Sequence, residues 1–136
     1  MIQLFLNAHG YGDFVFLVLR LVVGAIFLVH GLEKRSMWKM SPSETMPPRM
    51  LYIFRALSVY EPLAGTALIL GFLAQLFSVG LIVVMFGAIA MKVFSWGRKF
   101  TGEGGWEFEL LLLASLLVLL CFGAGSYSLD WPLFGL

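Results

Sequence analysis

Charge is scarce in this chain: only 12% of its 136 residues are Asp, Glu, Lys or Arg, and the formal net charge is +1. Without a long Lys/Arg block there is no electrostatic basis for nucleic-acid binding. Cysteine is nearly absent. The one residue, Cys121, excludes an internal disulfide and a Cys-x-x-Cys redox shuttle. Histidine is equally sparse, with His9 and His30 21 positions apart, about 31 Å if the stretch is helical. That separation argues against a haem held between two histidines at one membrane depth. No Glu-x-x-His pair occurs, so the carboxylate-histidine metal site of helix bundles is not expected, and no metal ligands are assigned. Residues 1–13 carry neither the basic start nor the small-residue cleavage site of a signal peptide, so the N-terminus is expected to be retained. The Gly102-Glu103-Gly104-Gly105 run has no strand-turn-helix context and reads as a loop rather than a nucleotide cradle.

What is abundant is hydrocarbon. With 60% hydrophobic residues and a mean hydropathy of +0.93, the chain falls outside the soluble globular class and reads as one integral membrane domain, 1–136. Apolar runs of membrane length lie at about 14–32, 51–72, 76–96 and 108–123. They predict an all-α, antiparallel bundle of four transmembrane helices. The link between the second and third runs is so short that it forces a hairpin. Prolines 42, 47 and 48 break the first connection, and Gly102, Gly104 and Gly105 loosen the third. Eight of the nine Lys and Arg residues fall in or beside those two connections. The positive-inside rule therefore places both termini outside. Trp38, Trp96 and Trp106 at the inner level, with Tyr127 and Trp131 at the outer, suit interfacial anchoring.

Ionisable groups inside such runs are costly and hence candidate functional groups. Arg20 shares a stripe of the first helix with Gly24, Phe27, Gly31 and Lys34. Glu61 lies mid-span in the second helix, directly before Pro62, where a lost backbone donor is expected to kink the helix and free the Ser58 carbonyl. Opposite charge at overlapping depth makes Arg20 and Glu61 an expected pair, with Gly24 and Gly65 permitting close approach. Near the inner level stand His30, Lys34, Arg55, Lys92, Glu107 and Glu109. Glu107 shares a face with Ala114 and Cys121, small residues suited to packing inward, whereas Glu109 points nearly the opposite way. The candidate ligand-binding residues are thus His30, Glu107, Arg20 and Glu61, with Lys92 and Glu109 as a candidate proton path. No catalytic residue is assigned.

Residues 19–34, Leu-Arg-Leu-Val-Val-Gly-Ala-Ile-Phe-Leu-Val-His-Gly-Leu-Glu-Lys, resemble the opening of DoxX-type membrane proteins. Glu61 leading through Gly65 to Leu70-Gly71-Phe72 is similar to that family's second helix. Gly104-Gly105-Trp106-Glu107 and the tail Gly123-Ala124-Gly125-Ser126-Tyr127-Ser128-Leu129-Asp130 resemble its fourth helix and ending. The resemblance spans nearly the whole chain, and the first loop is longer and richer in proline than the family's usual one. It implies a four-helix protein of the bacterial inner membrane, related to the small subunit of a thiosulfate:quinone oxidoreductase. On that reading the chain is a quinone-linked accessory subunit of a membrane redox complex. Its partners are lipid and either another membrane protein or further copies of itself. Because the sequence offers no ligands for a haem, flavin or cluster, any redox centre would belong to a partner, and quinone is the cofactor to expect. The alternatives are a non-catalytic assembly or stabilising subunit and, third, a small-molecule or ion carrier.

Overall fold

The computed structural model describes residues 11–44 and 46–134. His9, weighed above as a haem ligand, lies outside the described residues. Helix α1, Gly12–Glu33, runs on into a 3-10 turn, Lys34–Lys39. Helix α2 covers Pro48–Leu70, and α3, Ala74–Ala90, ends in a π-helical turn, Met91–Ser95. Helix α4, Glu107–Phe122, and a short α5, Asp130–Phe134, complete the order. No strand occurs among the described residues. Among the described residues, three segments are long and apolar enough to cross a membrane: Gly12–Lys39, Pro48–Leu70 and Ala74–Ser95. At 16 residues, α4 extends about 24 Å, less than the roughly 30 Å of a hydrocarbon core.

Local chemistry sets the helix ends. Pro48 starts α2, where its fixed φ suits a helix and its missing N–H is no loss. At the other end Gly71 adopts φ +66, while Phe72 N donates to Ala67 O (2.9 Å) and Gly71 N to Leu68 O (3.1 Å). This pair of bonds closes a Schellman motif. The expected hairpin between the second and third helices therefore forms, in a turn so tight that Leu73 also takes a positive φ of 47.

Helices α1 and α2 cross at glycine. A Cβ on Gly24 would stand 2.6 Å from Gly65 O, and one on Gly65 would stand 2.5 Å from Gly24 O. The backbones touch as the sequence led us to expect. Pro62 does not break α2. Its ring seats against Gly31, and the Thr66 hydroxyl donates to Pro62 O at 2.8 Å. Val23 and Phe27 of α1, Leu68 of α2, Leu81 of α3 and Leu116 and Leu119 of α4 form the core. Every long helix contributes to it.

The tail folds back over the hairpin end. Leu129 N and Asp130 N donate to Leu70 O and Gly71 O. The Asp130 carboxylate in turn accepts from Leu73 N (2.6 Å) and Ala74 N (2.9 Å), satisfying free donors at the start of α3. Ser126 bonds Asp13 through its hydroxyl at 2.6 Å, and Gln75 Nε2 donates to Leu120 O at 2.8 Å. This end of the molecule is laced by polar contacts.

Candidate functional site: a cavity at the Lys34 end of the bundle

Opposite the laced end, the four long helices enclose a cavity of about 450 Å³. Its wall is mostly apolar, with Phe27, Phe54, Leu57, Met85, Phe108 and Leu112 contributing. Five ionisable side chains join them: His30, Lys34, Glu61, Lys92 and Glu109. The Lys34 ammonium donates to both carboxylate oxygens of Glu61, at 2.6 Å to Oε1. Glu61 is 2% exposed and the Lys34 side chain 23%, so the pair is largely withdrawn from water. The second pair, Lys92 with Glu109 at 2.7 Å, joins the π-helical turn to α4. Lys92 also donates to Gly105 O at 2.8 Å, tying down the loop before α4. His30 sets its ring 5.9 Å from that of Phe108, tilted by 35°.

Each ion pair joins the two helices of one hairpin-like unit, Lys34 with Glu61 inside α1/α2 and Lys92 with Glu109 inside α3/α4. The cavity lies between the units. Burial in hydrocarbon makes an unpaired charge expensive, and mutual neutralisation removes most of that cost. What remains facing the cavity is an apolar box with a histidine at its edge and polar groups on two walls, the usual make-up of a small-molecule site.

The expected partnership of Arg20 with Glu61 does not form. The glycine crossing explains why: with Gly24 opposite Gly65, an antiparallel register puts Arg20 level with residue 69 of α2, about 12 Å from Glu61. Lys34 lies on the side of the crossing where Glu61 lies. Its side chain, tilted back toward the helix N-terminus, reaches the carboxylate. Arg20 instead lies fully buried beneath the tail, donating to Tyr127 O at 2.7 Å and packing against Gly71. The Asp130 carboxylate acts on it electrostatically.

Helix α4 also turns the other way from expectation. Glu107, Ala114 and Cys121 are all exposed, so the small-residue face looks outward and Glu107 does not line the cavity. The buried face is Leu112, Leu113, Leu116 and Leu119, with the half-buried Glu109 on the same side. Of the named candidates, the structure gathers His30, Glu61, Lys92 and Glu109 around one space and leaves Arg20 and Glu107 away from it. Sequence reasoning did not assign Lys34 as the partner of Glu61, although its place on the Gly24–Gly31 stripe was a usable signal.

A sequence profile of the DoxX family matches residues 15–96, from the first turns of α1 to the end of the π-helical turn. The chain belongs to the DoxX family. This DoxX-family chain is also 32% identical over 139 residues to an uncharacterized membrane protein of Mycobacterium tuberculosis (strain ATCC 25618 / H37Rv). The alignment takes in 90% of this chain and 83% of that relative. No solved structure matches the chain. The profile match contains Arg20, His30, Lys34, Glu61 and Lys92, so four of the five ionisable groups around the cavity fall within the family region.

Proposed function

We propose that this DoxX-family protein is an accessory subunit of a redox complex in the bacterial inner membrane and that its inner cavity receives a quinone headgroup. The observation that carries this reading is the cavity of about 450 Å³ enclosed by membrane helices, apolar on most of its wall and edged by His30. A quinone ring needs an apolar slot and a donor for its carbonyl oxygen, and imidazole supplies a donor in either protonation state. The reading also takes α4 as a fourth crossing, its first turn at headgroup level, with both termini outside and the cavity toward the cytoplasm. The Lys92 and Glu109 pair at the rim would pass a proton between cavity and water.

The test is extraction in mild detergent followed by quinone quantification per chain, on the unaltered protein and on His30→Ala, Glu109→Gln and Glu107→Gln. Bound quinone should fall in the first two variants. Glu107→Gln should match the unaltered protein, because that side chain faces away. Absence of quinone from gently extracted protein, or full retention in His30→Ala, would sink the proposal. A second reading, a non-catalytic assembly subunit, is favoured by one observation: both cavity carboxylates are already paired with lysines, as charges that only register helices would be. In that case the protein holds no quinone, and the exchange Lys34→Glu with Glu61→Lys still supports complex assembly.

A further inference from the structure

On the outer side of the α1/α2 pair, away from the cavity, lies an open groove of about 630 Å³. It runs from Leu28 and Thr66, deep along the two helices, to Arg35 and Trp38 at the mouth. Leu32, Val59 and Leu63 give it an exposed aliphatic wall. The hydroxyls within it are already engaged. Trp38 Nε1 donates to Ser58 Oγ at 2.8 Å, Ser58 Oγ donates to Arg55 O at 2.7 Å, and Thr66 Oγ1 donates to Pro62 O. Its floor is therefore satisfied and greasy.

The cations at the mouth are not equivalent. Lys34 is spent on Glu61. Arg55 donates to Met37 O and Met40 O and lies 5.7 Å above the Trp38 ring, pinning the 3-10 turn onto α2. Arg35 lines the groove, yet among the described residues it has neither a hydrogen bond nor an ion pair. A free guanidinium at interfacial level, an indole beside it and an aliphatic channel running into the membrane complement one kind of molecule.

We propose that this groove is a binding site for an anionic phospholipid of the leaflet that borders the first connection. The phosphate is held by Arg35, the glycerol region lies against Trp38, and the upper part of an acyl chain lies along Leu32, Val59 and Leu63. Arginine matches phosphate geometry in a way lysine does not, which gives Arg35 a role distinct from the general positive charge of the connection. The proposal is independent of what occupies the inner cavity.

The test uses the unaltered full chain, Arg35→Gln and Lys39→Gln in detergent, titrated with phosphatidylglycerol or phosphatidylcholine of identical chains and read by native mass spectrometry. The unaltered protein should retain phosphatidylglycerol about fivefold more tightly, the ratio one interfacial cation is worth. Arg35→Gln should abolish that preference and Lys39→Gln should largely keep it. A second measurement localises the lipid. With Trp96, Trp106 and Trp131 changed to Phe, fluorescence of the remaining Trp38 should be quenched more by brominated phosphatidylglycerol than by brominated phosphatidylcholine. Equal retention of both lipids, equal loss in the two charge variants, or Trp38 fluorescence untouched by either brominated lipid would each overturn the site. The first would remove any preference for the anionic headgroup, the second would reduce the preference to diffuse surface charge, and the third would take the lipid out of the groove.

Discussion

Replacing Lys34 with methionine leaves Glu61, 2% exposed, without its partner while keeping the length and bulk of the stem. Removing one member of a buried pair costs about 3 to 5 kcal/mol. The complementary change, Glu61→Leu, strands an ammonium that is 23% exposed and sits at the end of α1. A lysine there can extend to the headgroups, which limits the loss to about 1 to 2 kcal/mol. The double variant, with neither charge left, should lie within about 1 kcal/mol of the unaltered protein. Reversible unfolding in mixed micelles, followed by circular dichroism, gives all four corners of the cycle. Additive losses would refute the coupling. Equal losses in the two single variants would refute the asymmetry drawn from their exposures.

Gly65→Ala should destabilise by about 1 to 3 kcal/mol, because the new methyl would stand 2.5 Å from the Gly24 carbonyl. Gly87→Ala, with nothing within 4 Å, should leave thermal unfolding in detergent unchanged or slightly raised. Asp130→Ala removes the acceptor for Leu73 N and Ala74 N; a loss of about 1 to 2 kcal/mol and faster hydrogen exchange at the start of α3 are expected. Unchanged exchange there would show that the cap is dispensable. For the topology, a C-terminal alkaline phosphatase fusion should be active and a C-terminal fluorescent reporter dark, and the reverse would move the cavity to the outer side.

The tail and α4 show where sequence reading stopped. In α4, Glu-Phe-Glu-Leu-Leu-Leu-Leu-Ala-Ser-Leu-Leu-Val-Leu-Leu-Cys-Phe is apolar on every side after its first turn. A helix whose outer face and protein face are both hydrocarbon carries no amphipathic stripe to say which way it points. Small residues were the available guide, and they misled, since Ala114 and Cys121 face out. The tail's role was equally hidden. That Asp130 would cap a helix more than fifty residues earlier in the chain, or that Tyr127 would receive Arg20, follows from long-range contacts with no local signature.

By itself the sequence determined residence in the membrane, the three long spans to within a few residues, the α2–α3 hairpin and the glycine crossing of α1 with α2. Those features follow from hydrophobic length, turn chemistry and side-chain size, all of which act locally. The partner of each buried charge needed more. Depth along a helix names every charge that lies at a similar level, but the register of an antiparallel crossing decides which one is within reach. Here that register, fixed where Gly24 meets Gly65, gave Glu61 to Lys34 and sent Arg20 to the tail. The cavity came with it, because two units that each match their own cavity-side ion pair meet at that end through apolar walls and need no charge to bridge the space between them.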